Sequence, residues 1–382
     1  MKKLNYLILF ALAFLAATSC KKDDNSVSTT VTPVKTFFSP ANDKFVDLSN
    51  TSTVLFEWDQ SLAQDGGLVL YTVAFDKPDG DFSHPLYTVV SDGNGVNNKA
   101  TISKATLNTI AKNAGISPLD SINLKWTVFS SKGVNAVKAD SARTITVKRA
   151  NGLDNPPAEL YITGTATEGG DDLSKAIKLK STGDGKFEIY TSLKSGTYHF
   201  VDKTSGSDIS SFYIDGSTFR EGDDVTTITG SDTKEYRIDL DLSILNAQIS
   251  QIKAVDFWYC SKNDFEGTFT YKSNGVWEMD NYKVVFTDMG GWTDNRHKFR
   301  VTVNNGTADT YEWWGNSDHE GGNAPTSSSP ASFYYLRAIA LSDNDQWDYG
   351  FKFPDAADGK QADIQLIFSP DIANYTHSVT IH

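Results

Sequence analysis

Ile122-Asn123-Leu124-Lys125-Trp126-Thr127-Val128 alternates between apolar and polar residues over its whole length. Successive side chains of a strand point to opposite faces, so Ile122, Leu124, Trp126 and Val128 share one buried face. Val54-Leu55-Phe56-Glu57-Trp58 repeats the pattern, with Val54, Phe56 and Trp58 on one side. Two inward tryptophans on separate strands predict an immunoglobulin- or fibronectin-like β-sandwich, placed over residues 36–150. One helix interrupts it. Ser103 is its N-cap, Leu107, Ile110, Ala111 and Ala114 form its apolar stripe, and Gly115 stops it.

Upstream, Met1-Lys2-Lys3 and the apolar run Tyr6 to Ala17 read as a charged region and a hydrophobic core too short to span a bilayer. The run ends at Ala17-Thr18-Ser19-Cys20, which resembles a bacterial lipobox with Ala in the usual Leu position. Residues 1–19 are therefore expected to be a lipoprotein signal peptide, and Cys20 the lipidated N-terminus. With Cys20 acylated, Cys260 has no partner and no disulfide framework exists. Residues 20–35, rich in Ser, Thr and Val without periodicity, read as a flexible tether. The formal net charge of −13 would repel phosphate backbones, which argues against a nucleic-acid partner.

The Gly/Asn/Pro-dense stretch 151–157 breaks the chain, and a second β segment is expected over 157–249. A third, 250–382, follows without a linker, which admits a rigid junction or a shared sheet. Gly185-Lys186-Phe187-Glu188 and Gly275-Val276-Trp277-Glu278 echo each other, each after a Lys-Ser tract and a turn. Two diverged copies of one sandwich account for the echo, with Phe187 and Trp277 pointing inward. The fold class expected is all-β, a row of tandem β-sandwiches.

Catalytic signatures are scarce. Gly315-Asn316-Ser317-Asp318-His319 lacks the closing glycine of a nucleophile elbow, and the six histidines never fall at metal-ligand spacing. Neither a metal nor a cofactor is expected. Six of the eight tryptophans lie in the last third, and several sit in polar loops. A pyranose offers an apolar C–H face for an indole and a rim of hydroxyls for amides and charged groups. Trp292 with Arg296, Trp314 with Asn316, and Trp347 with Asn344 supply that pairing and are the candidate ligand-binding residues. The other reading of loop tryptophans is that they cap sandwich ends. In Tyr311-Glu312-Trp313-Trp314, burying Glu312 unpaired would be costly. That predicts Trp313 in the core and Trp314 as the exposed platform.

The chain resembles the SusE/SusF family of surface glycan-binding lipoproteins. The resemblance is carried by Cys20-Lys21-Lys22-Asp23-Asp24, Val54 to Trp58, Tyr71 to Lys77, Leu160 to Gly164, Gly275 to Glu278, Tyr311 to Gly315 and Gln346 to Phe353. It implies an N-terminal immunoglobulin-like spacer followed by two carbohydrate-binding sandwiches. It also implies a lipid anchor in the outer membrane with cell-surface exposure, a SusC/SusD-type importer as partner, and no hydrolysis. The glycan differs among relatives. Segment two lacks tryptophan, leaving Tyr161, Tyr190, Tyr198 and Tyr213 as its candidate sugar contacts. The alternative function is a structural or protein-interaction surface lipoprotein without glycan affinity.

Overall fold

The computed structural model describes residues 28–318, 323–342 and 344–382. The signal peptide, Cys20, the first part of the tether and His319 lie outside the described residues. No described helix is long and apolar enough to cross a membrane. The architecture is all-β, and the chain divides into two compact units, residues 1–150 and 151–382.

The first unit is a two-sheet sandwich. Strands Phe37–Ser39, Thr53–Trp58 and Lys99–Ser103 form one sheet. The other runs in the order Lys44–Asp47, Arg143–Lys148, Ser121–Lys132, Leu70–Asp76, Tyr87–Val90, with Asn135–Lys138 paired to Ser121–Lys132. Trp58 and Trp126 are fully buried, and Phe56 crosses from one sheet to the other in edge contact with Trp126 (4.9 Å) and Phe75 (5.4 Å). The helix Lys104–Asn113 starts where expected: Ser103 Oγ accepts the Thr106 N–H at 3.1 Å, and Leu107, Ile110 and Ala111 are buried. The expected tether ends earlier than composition suggested. Val31 and Val34 are buried, and Thr32 donates to Leu62 O at 2.9 Å, so this stretch docks on the sandwich by ordinary apolar burial.

The second unit holds two hydrophobic cores. One is built from residues such as Leu160, Phe187, Phe200, Phe219 and Ile238. The other is built from Phe257, Phe299, Phe351, Trp277, Ile364 and Leu366. The two echoed hairpins sit in corresponding places, Lys180–Gly183 with Lys186–Leu193 and Thr270–Ser273 with Val276–Lys283. Phe187 and Trp277 both point inward at 3% exposure. Asn274 and Gly275, both at positive φ, make the second turn, the asparagine–glycine chemistry that tight hairpins need.

No linker divides the cores. The strand Asn246–Tyr259 runs through both lobes. Its residues 246–252 pair with Lys234–Asp241, and residues 251–259 pair with Arg296–Asn304. Of the two arrangements that a missing linker allows, a shared sheet is the one formed, and the expected boundary at 249/250 falls inside a strand. Side chains seal the junction. Glu168 accepts from Ser192 N (2.7 Å), Asn274 N (2.8 Å) and the Tyr271 hydroxyl. Tyr190, on the face of its strand opposite Phe187, is buried in the second core and stacks on Phe368 at 4.5 Å. Tyr190 and Tyr198, at 2% and 0% exposure, are thus core residues rather than sugar contacts. Tyr161 and Tyr213 remain half-buried at the surface.

Trp126→Ala, made in residues 28–150, is expected to cost about 3–5 kcal/mol, the usual range for emptying an aromatic core site. Urea unfolding followed by circular dichroism measures it, and a midpoint unchanged from the parent would refute the face assignment.

Candidate functional site

The second core lies between the 246–259/296–304/309–315 sheet and a four-stranded sheet formed by Thr270–Ser273, Val276–Lys283, Gln361–Ile367 and Thr376–Ile381. Alternation fixes which side chains of the first sheet face outward. Phe257, Tyr259, His297, Phe299 and Val301 are buried, so Trp258, Lys298 and Arg300 leave from the opposite face. Cross-strand register then settles the tryptophan pair. Trp314 lies opposite Phe299 and packs on the core, 5.2 Å from Phe368, whereas Trp313 lies opposite Arg300 on the outer face.

This reverses the expected assignment, and an ion pair is the reason. Glu312 does share the inner face with Trp314, but it is not unpaired. Arg237 of the neighbouring lobe donates to both its oxygens at 2.7 and 2.8 Å and to Asp239 at 3.0 Å. A two-pronged guanidinium–carboxylate pair removes the penalty that would otherwise turn Glu312 to solvent.

On the outer face, the aromatic and cationic side chains form a stripe along the Arg296–Asn304 strand. Trp313 stands edge-on to Trp258 (5.6 Å) and stacks near Phe265 (6.0 Å). The Arg300 guanidinium lies between the rings of Phe265 (3.8 Å) and Tyr311 (4.8 Å) and is tied to Asp256 at 2.8 Å. At the other end, Arg296 sits over the Trp347 ring at 4.7 Å and is held by Asp294 at 2.7 Å. From Arg296 to Thr302, the partner of Tyr311, the strand spans about 20 Å at ~3.4 Å per residue. Tyr311 is 50% exposed. The stripe therefore offers apolar ring faces with charged N–H donors between them, the surface that a run of sugar rings requires.

The loop bearing Trp347 is fixed from below. Lys298, fully buried, donates to Asn344 Oδ1 (2.7 Å), Asp345 O and Asp348 O (3.2 Å), and burial lowers its pKa. Gln346 bridges Cys260 O at 2.7 Å, and the Trp258 indole N–H donates to Gln346 O at 3.3 Å. Cys260 is buried among these groups, with its thiol pushed up to about 12 by burial.

Of the six residues expected at the site, Arg296 and Trp347 come together on the stripe. Asn344 is spent holding the loop. Asn316 is 4% exposed, and its side-chain oxygen closes a turn by accepting Asp318 N at 3.2 Å. Trp292 stands 54% exposed at the tip of the Thr287–Asp288/Thr293–Asp294 hairpin, beyond two glycines at positive φ. Asp294 connects the base of that hairpin to Arg296. Trp258, Phe265, Arg300 and Tyr311 were not anticipated. The alternation Phe257-Trp258-Tyr259 and Lys298-Phe299-Arg300 carried the signal. Among the described residues, the acidic trio Glu278, Asp280 and Asp363 could reach one cation. Lys272 already spans the first two (3.3 and 3.0 Å), and His382 takes the third at 2.8 Å.

Residues 22–129 match the family model described as SusE outer membrane protein. Over those residues the chain is similar to SusE. No curated protein matches it. A crystal structure of SusF from Bacteroides thetaiotaomicron aligns with 92% of this chain and 99% of its own, at 13% identity and a TM-score of 0.24. That TM-score is too low for SusF to inform the geometry, and the SusE-like match falls outside the second unit. The stripe is therefore read from this chain's own residues.

Replacing Arg237 with Ala strands Glu312 on the inner face and is expected to cost about 2–3 kcal/mol, below the range for a wholly buried pair because Glu312 is partly exposed. Trp314→Ala should destabilise the second unit more than Trp313→Ala. Thermal melts of the three variants decide both points, and equal melting temperatures for the tryptophan variants would contradict the inner and outer assignment.

Proposed function

We propose that this SusE-like chain is a non-catalytic surface lipoprotein that captures a polysaccharide or oligosaccharide on the outer stripe of its second unit. Cys20 carries the lipid that anchors it in the outer membrane, and a SusC/SusD-type importer receives the glycan. The observation that carries this reading is the stripe itself. Its rings are held in place by stacked arginines and a clamped loop, with Tyr311 and Trp347 left accessible and Trp313 between them.

Magnitudes limit what the stripe does alone. Covering ~100 Å² of sugar face at ~25 cal/mol/Å² gives about 2.5 kcal/mol per ring. Two rings give about 5 kcal/mol, against association costs of several kcal/mol. Hydroxyl contacts to the arginines add the remainder, so one site binds in the high-micromolar to millimolar range. Many anchored copies facing one polymer raise the effective affinity through avidity. In this picture the first unit is a spacer.

A panel of soluble polysaccharides run by affinity electrophoresis tests the reading. At least one polymer should retard the protein, and Trp313→Ala with Tyr311→Ala should weaken retardation about tenfold or more with the melting temperature nearly unchanged. Retardation by none of them, together with capture of importer components in a pull-down, would favour the protein-interaction alternative. For the anchor, Cys20→Ala is expected to move the protein from the membrane fraction to the soluble one. An unchanged membrane fraction would remove the lipoprotein claim.

A further inference from the structure

Away from the stripe, the second unit contains two adjoining hollows of about 490 and 370 Å³ that share Tyr335, Ala373 and Asn374. Their sizes fall in the range of small-ligand sites. Tyr334 and Tyr335 supply ring surface, Tyr375 walls the larger hollow, and among the described residues no aspartate or glutamate lines either one. Two cations do. Lys180 spends donors on the carbonyls of Ile372 and Ala373 and lies 4.9 Å above the Tyr375 ring. Arg337, exposed on the Arg337–Ile339 strand, makes no ion pair among the described residues. The carboxylate that acts on Lys180, Glu188, accepts the Tyr375 hydroxyl, and burial pushes it up to about 7, which reduces its charge.

The arginines of the stripe differ in this respect. Arg296 and Arg300 each have a carboxylate partner, so their charge is already neutralised. In the hollows a planar fork with no ion pair among the described residues and an ammonium meet tyrosine rings, and the carboxylate nearest the ammonium, Glu188, is engaged by the Tyr375 hydroxyl. A planar fork matches the two oxygens of a carboxylate.

We infer that these adjoining hollows bind a uronic acid residue of a glycan, with Arg337 and Lys180 on its carboxylate and the tyrosines on its ring. This rests on the glycan-binding reading and narrows it to chains that carry carboxylates. It adds a second contact point, distinct from the stripe.

The test uses the whole mature protein and a panel of trisaccharides of galacturonate, glucuronate and mannuronate, each also as its neutral methyl ester, titrated calorimetrically. A sulfated trisaccharide without carboxylates is a further probe. At least one free acid should bind about tenfold tighter than its ester, an advantage that falls as salt is raised. Arg337→Gln should abolish the difference, Lys180→Met should reduce it, and Trp313→Ala should leave the ratio unchanged. Equal binding of every acid and its ester, binding of the sulfated probe alone, or an Arg337→Gln variant that keeps the full difference would each overturn the inference. Neutral polysaccharides that still bind through Trp313 in those cases would leave the stripe reading intact, whereas loss of all glycan binding would overturn both.

Discussion

The fork of Arg237 on Glu312 decides which way the Asp309–Gly315 strand faces. A strand has only two registers of side-chain direction, and a slip of one residue exchanges its whole inner set for its outer one. With Glu312 satisfied on the inner side, Trp314 enters the core and Trp313 joins Tyr311 outside. The aromatic stripe, its stacked arginines and its distance from the core all follow from that choice. The pair also joins the two lobes, since its members belong to different ones, so the orientation of the strand and the docking of the lobes are one problem with one solution.

Much of the fold could be read from the chain because it is recorded locally. Trp58 and Trp126 lie in strands whose alternation is unbroken, and Ser103 and Gly115 mark the helix by chemistry within a few residues of its ends. The hairpin echo around Phe187 and Trp277 depends on a turn and the residue after it. What could not be read depends on partners far along the chain. Glu312 looked like a residue that must be wet because Arg237 lies 75 positions earlier. Tyr190 looked like a surface residue because the lobe that covers it is built from residues beyond 250. Asn316 and Asn344 have the polarity of sugar ligands, but a turn and a buried lysine use that polarity. Trp258 differs: it was missed although its signal is local, since two inward aromatics flank it and leave it the outer face.

The arginines illustrate how one residue type takes different roles in one unit. Arg300, tied to Asp256 and stacked between two rings, is a rigid extension of the aromatic surface, with little free charge to offer. Arg237 is a structural bolt. Of the three, Arg337 is the one without an ion pair among the described residues. Counting basic residues would rank them equally, and only their partners separate them.

The strand Asn246–Tyr259 has a consequence for the order in which the molecule can be made. A chain emerging from its N-terminus can pair Lys234–Asp241 with Lys186–Leu193 before the partner on its other side exists, so that strand waits with one edge bare. Arrival of residues 246–252 closes the edge, and the same strand then extends past the finished lobe as a template for Arg296–Asn304, still to come. The first lobe is thus both the product of one stage of growth and the seed for the next. A chain stopped before residue 259 ends with an open sheet rather than with a smaller finished protein.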